Sequence, residues 1–131
     1  MAEIERGMSM KQQITWEQLI ELNYEQVSKL QKLINQKYHL IEDPEHWEGI
    51  KNYKKVMEDG EIFTIHTSYG GFLKRTTIGK MIEILDTNIN QIDFLNGSWE
   101  LTLYPTYETI LENELCDALW EAIKIALQEN E

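Results

Sequence analysis

The sequence predicts an α+β domain: N-terminal helices, a small, mainly antiparallel sheet with an Asn-Gly hairpin, and a C-terminal helix packed on that sheet. Three observations carry the prediction. Between Ile14 and Met57, apolar side chains recur at helical spacing behind successive capping signals. Ile92-Asp93-Phe94-Leu95 and Ser98-Trp99-Glu100-Leu101-Thr102-Leu103 flank Asn96-Gly97, the dipeptide that a type I′ hairpin turn prefers. From about Asn113 to Gln128 the helical period returns, with an unusually wide apolar arc.

The N-terminal elements follow from their caps. Thr15 and Gln18 have capping-box spacing, and so do Asn23 and Gln26. The stretch is either one helix or, as the second box favours, a short helix over 16–22 followed by a longer one over 24–37. Asp43 is a good N-cap, Pro44 suits the first helical position, and Glu45 and Glu48 suit the positive end of the helix dipole. Trp47, Ile50 and Met57 share a face of that helix, and Gly60 ends it. Glu61 to Thr67 is rich in β-branched residues and reads as a strand. Ser68-Tyr69-Gly70-Gly71 reads as a turn, with Phe72 to Arg75 returning as a short strand. Thr76 or Thr77 then caps a helix to about Leu85. The predicted order is α(α)α–β–β–α–β–β–α.

A two-residue turn at Asn96-Gly97 sets the register: Leu95 with Ser98, Phe94 with Trp99, Asp93 with Glu100, and Ile92 with Leu101. Ile92, Phe94, Trp99 and Leu101 then share the core face, and Asp93 and Glu100 stand opposite one another on the exposed face. Like charges so placed oppose pairing, which makes them the anomaly of the hairpin. On the last helix the apolar arc is roughly 220° wide, with Trp120 and Ile125 near its two edges. One flat sheet cannot cover both. Either the N-terminal helices cover one edge and the chain is a monomer, or Trp120 and Ile125 contact a second copy in a homodimer.

Net charge is −11 and unevenly spread. Residues 1–80 hold 11 bases and 12 acids, whereas residues 81–131 hold 11 acids and the single base Lys124. Phosphate contacts need Lys and Arg, so direct nucleic-acid binding through the C-terminal half is disfavoured. Lys29, Lys32, Lys51, Lys54 and Lys55 lie on the N-terminal helices, but acids interleave with them and no Arg joins them. No apolar run approaches the ~20 residues that span a bilayer. The start lacks the layout of a signal peptide, and Cys116 stands alone, so a cytoplasmic protein is expected, with no disulfide. Met8 and Met10 are alternative starts. Residues 1–12 are expected to be a poorly ordered extension to a single domain over 13–131.

Candidate chemistry is sparse. His39 and His46 bracket Glu42, Asp43 and Glu45, but no pair shares a helical turn, and a metal site is not expected there. Cys116 falls within the apolar arc, where an inert thiol is the default. Ser68-Tyr69-Gly70-Gly71 before Lys74 and Arg75 lacks the spacing of a phosphate-binding loop. No catalytic constellation and no cofactor motif emerge.

Three stretches carry a resemblance. They are Ile14-Thr15-Trp16-Glu17-Gln18-Leu19-Ile20-Glu21-Leu22, Thr77-Ile78-Gly79-Lys80-Met81-Ile82-Glu83-Ile84-Leu85, and Glu114-Leu115-Cys116-Asp117-Ala118-Leu119-Trp120-Glu121-Ala122-Ile123. Together they cover under a third of the chain. The sequence resembles small uncharacterised proteins encoded by phages and prophages of low-GC Gram-positive bacteria (Firmicutes). The resemblance implies a phage context and brings no activity, cofactor or site residue with it. The functional expectation is therefore a non-enzymatic phage accessory protein that acts by protein–protein contact, such as an inhibitor of a host defence or regulatory protein. Its contact residues would be Asp93, Glu100, Glu114, Asp117 and Glu121, and its partner a host or phage protein. That partner would be a nucleic-acid-binding one if the acids mimic phosphates. The rival expectation is a small enzyme or small-ligand-binding protein.

Overall fold

The computed structural model describes residues 10–34, 41, 43–56 and 73–129. Helices α1 (Trp16–Leu19), α2 (Tyr24–Leu33) and α3 (Pro44–Val56) come first. Helix α4 (Ile78–Leu85) and a 3-10 turn (Asp86–Asn88) lead into strands β1 (Ile89–Leu95), β2 (Ser98–Leu103) and β3 (Thr109–Glu112), and α5 (Leu115–Glu129) closes the fold. The strands form one antiparallel sheet in the order β1-β2-β3. The chain is thus α+β, with α5 on the sheet.

Both capping boxes form as expected. Thr15 and Asn23 each accept from the backbone N–H of the residue three positions on, and Gln18 and Gln26 reach back to the cap N–H. The first segment is therefore broken at Asn23, and α1 is a single turn. Asp43 Oδ1 accepts from His46 N at 2.7 Å, which starts α3 at Pro44. Trp47 anchors that helix: its Nε1 donates to Leu22 O at 2.9 Å, and its ring meets Trp16 edge-on at 6.5 Å between centroids. Thr77 caps α4.

The hairpin has the expected register from Ile92/Leu101 to Leu95/Ser98. Asn96 and Gly97 both have positive φ, 54° and 81°, as a type I′ turn requires. One detail differs. Phe94 lies on the core face but is 55% exposed; within the sheet, α5 packs chiefly on β2 and β3. The Phe94 ring packs instead on Trp99, 4.9 Å between centroids.

The wide arc of α5 is covered from three directions: β2 and β3 on one side, α4 on a second, and α2 on a third. Leu115, Cys116, Ala118, Leu119, Trp120, Ala122, Ile123 and Leu127 are all buried. Trp120 is 0% exposed and its Nε1 donates to Glu21 Oε1 at 3.0 Å. The N-terminal segment thus covers the Trp120 edge within one chain, so Trp120 is core and not an oligomer contact. Ile125, at the other edge, is half-buried.

Two further expectations are corrected. Leu73 to Arg75 is a helical turn, not a returning strand. Lys11 and Gln12 are tied down rather than loose: Lys11 N donates to Glu114 Oε1 at 3.2 Å, and Gln12 O accepts from Ile78 N at 3.0 Å. Beside them, Gln13 and Thr77 form an isolated β-bridge. Residues 1–9, Tyr38, His39, Met57, Gly60, the strand expected over Glu61–Thr67, the turn over Ser68–Gly71, and Phe72 lie outside the described residues. No helix among the described residues is long and apolar enough to cross a membrane.

Candidate functional site

The five acids expected to form one contact surface fall into two groups. Antiparallel pairing places Asp93 (β1) directly opposite Glu100 (β2), and Glu100 directly opposite Leu111 (β3). Side chains alternate between faces along a strand. Leu101 is in the core, and half-buried Ile92, Trp99 and Ile110 pack against it. Asp93, Glu100 and Leu111 therefore share the other face, together with Leu95. Leu95 and Leu111 are 57% and 62% exposed. Asp93 also accepts from Gln91 Nε2 at 2.6 Å. The face is thus an acidic strip with apolar residues at its ends, and Asp93 and Glu100 are half-buried within it.

The other three, Glu114 just before α5 and Asp117 and Glu121 on it, sit elsewhere, along the seam with the N-terminal segment, and each is engaged. Glu114 accepts from the Lys11 N–H. Asp117 Oδ1 takes Lys11 Nζ at 2.6 Å and Gln18 Nε2 at 2.8 Å. Glu121 pairs with Lys124 at 3.0 Å, and Lys124 also reaches Glu21 at 2.7 Å. Burial works against the Lys124 ammonium, but the hydrogen bonds to Glu21 and Glu121 outweigh it and hold its pKa above the ordinary value. These are partly exposed pairs, worth at most about 1 kcal/mol each. Sequence reasoning missed this seam because Lys11 lies 106 residues from Asp117.

Glu112, not singled out from the sequence, belongs to the same seam. Desolvation first, then repulsion from Glu121 and Asp117, raises its pKa above the ordinary carboxylate value. A raised carboxyl pKa means that the fold binds this proton more tightly than the unfolded chain does. Stability from this group therefore falls as pH rises from below its unfolded pKa through its folded one, and at neutral pH the ionised group is a cost. Glu112→Gln is expected to raise Tm slightly at pH 7 and to change it less at pH 4. Thermal melts at the two pH values check this, and a lower Tm at pH 7 would contradict it.

The other candidates hold little chemistry. Burial pushes the Cys116 thiol up to about 11, so it is almost wholly protonated and unreactive at neutral pH. No group of three His, Cys, Asp or Glu among the described residues is placed to hold a metal ion. An open cleft of about 150 Å³ lies between the end of α4, the β2–β3 turn and α5, lined by Leu85, Asn88, Leu103, Tyr104 and Ile125 among others. That is below the ~300–1,000 Å³ usual for a ligand pocket. Its Asn88 side chain already donates to Tyr104 O at 3.1 Å.

Protein-family models, curated proteins and solved structures show no match to this chain. The contact surface is therefore argued from the geometry alone.

Proposed function

We propose that this chain is a non-enzymatic phage accessory protein that acts in the host cytoplasm by contact with a host or phage protein, through the outer face of its sheet. An inhibitor of a host defence or regulatory protein is the form this would take. One observation carries the reading: two carboxylates stand directly opposite one another, Asp93 against Glu100, between exposed Leu95 and Leu111. Directly opposed like charges destabilise a ladder by a few tenths of a kcal/mol to about 1. A cationic partner would turn that repulsion into attraction. The apolar residues at the ends of the strip supply the non-directional part of such an interface. The phage context rests on the three helical stretches named above. Glu114, Asp117 and Glu121 are engaged within the chain and contribute less, so Asp93 and Glu100 come first among the contact residues.

Affinity capture from host lysate, with mass spectrometry, is the test. The reading expects a specific protein whose association weakens steeply with salt, because exposed charges are screened within about 8–10 Å at 0.1–0.15 M. A nucleic-acid-binding partner would fit acids that stand in for phosphates. The double variant Asp93→Lys/Glu100→Lys should slow association about tenfold or more with little effect on folding, since rim charges act chiefly on the on-rate. An unchanged on-rate would remove this face from the site. A small-ligand-binding protein is the second reading, and the cleft beside Tyr104 is what favours it; recovery of a bound metabolite instead of a protein would install it.

A further inference from the structure

Strand β1 lies at an edge of the sheet. A two-residue turn closes on a pair that exchanges both backbone hydrogen bonds, so Leu95 and Ser98 bond to each other and bonding alternates from there. Asp93 and Leu95 thus turn their backbone groups toward β2, whereas Ile92 and Phe94 turn theirs outward. Among the described residues, no backbone group bonds to that outer side. Such an edge is a template for another strand, and proteins ordinarily protect it with lysine, proline, a bulge or a cover. β1 contains neither lysine nor proline, and its one charged side chain, Asp93, guards the edge against acidic strands while favouring a basic one. Its one irregularity lies between Ile89 and Gln91, which leaves Ile92 to Leu95 regular.

Charge decides what fits. Residues 89–112 hold four acids (Asp93, Glu100, Glu108 and Glu112) and no Lys, Arg or His. A second copy of this chain would bring the same acidic strip against the first, so charge disfavours self-pairing. We infer that the outer edge of β1 is a docking site for an extended, basic protein segment, which adds to the sheet as a fourth strand. This rests on the contact reading above and names the chemistry of its partner. The main chain of the added segment bonds to the N–H and C=O groups of Ile92 and Phe94. Its side chains alternate between faces. A Lys or Arg falls beside Asp93 on the outer face, within the field of Glu100. The residues on either side of it fall beside Ile92 and Phe94 on the inner face, where exposed Phe94 offers apolar surface. The motif is apolar–basic–apolar in an extended chain.

The test is a titration of the full chain, labelled with ¹⁵N, with a capped seven-residue peptide alternating valine and lysine. A valine–glutamate peptide is the control. Amide hydrogen exchange at Ile92 and Phe94 is expected to slow about tenfold or more with the lysine peptide, while Asp93 and Leu95, already bonded across the hairpin, change little. The glutamate peptide should have no effect. Asp93→Lys/Glu100→Lys should weaken binding of the lysine peptide about tenfold. Binding without protection at Ile92 and Phe94 would overturn strand addition and leave contact through the face standing. Equal protection by both peptides, or unchanged affinity in the double variant, would overturn the basic occupant. Absence of binding at millimolar peptide would overturn the docking site. Salt-sensitive capture of a protein partner would in that case still support the contact reading.

Discussion

Replacing Trp120 by alanine is expected to cost roughly 3–5 kcal/mol of stability, the range for emptying a buried aromatic site. The indole is fully buried where α5 meets the N-terminal segment, and it donates to Glu21. Truncation leaves a cavity in the core and removes the hydrogen bond to Glu21. Trp120→Phe keeps most of the volume and loses the hydrogen bond, so its cost should be much smaller. Denaturant titration followed by circular dichroism measures both. Trp120→Glu places an unpaired charge in the core and should unfold the chain outright. Sedimentation distinguishes this from the interface expectation: a dimeric wild type that the glutamate variant turns into a folded monomer would contradict the burial described above.

Gln31→Leu is expected to cost roughly 2–4 kcal/mol, although it puts an apolar side chain in an apolar place. Gln31 is 0% exposed; its Oε1 accepts from Ile41 N and its Nε2 donates to Ile41 O, both at 3.3 Å. Leucine leaves both backbone groups of Ile41 without these partners, at about 1–3 kcal/mol for each buried group. Gln31→Glu separates the two bonds. The ionised carboxylate still accepts from Ile41 N but faces Ile41 O with no proton to donate. This variant should be least stable relative to wild type at neutral pH and should recover part of the loss in acid, where the carboxyl can donate again. Equal losses for Gln31→Glu at all pH values would show that the clamp does not hold the fold.

Local chemistry was legible in the sequence, and distant pairing was not. Thr15 with Gln18, Asn23 with Gln26, and Asp43 before Pro44 each act on a backbone group within three residues, so spacing alone reveals them. The hairpin register follows from a turn two residues long, which is why the opposition of Asp93 and Glu100 could be read in advance. Gln31 sits among polar neighbours on α2 and reads as a surface residue, because its partner is set by the path of the chain to Ile41. β3 was missed because Thr109–Glu112 is too short to display a period. The leucines flanking the acidic strip were missed with it, since Leu111 joins Leu95 on the outer face only once β3 pairs with β2. The acids of α5 looked free for the same kind of reason: Lys11 and Gln18, which hold Asp117, come from the other end of the chain.

That last arrangement determines where the entropy cost of chain closure falls. The hairpin and the capped helices form from neighbours in sequence, so they can close quickly and separately. The bonds that join them do not. Lys11 to Asp117, Gln18 to Asp117, Glu21 to Trp120 and Glu21 to Lys124 each bridge 99 to 106 residues. Closing such loops carries an entropy cost before any contact repays it, and a chain rich in such closures folds more slowly than one held by local contacts. The largest loop-closure cost in the fold therefore falls on the seam around Asp117 and Trp120, where the N-terminal segment meets α5, whereas α5 and the sheet beside it are close in sequence.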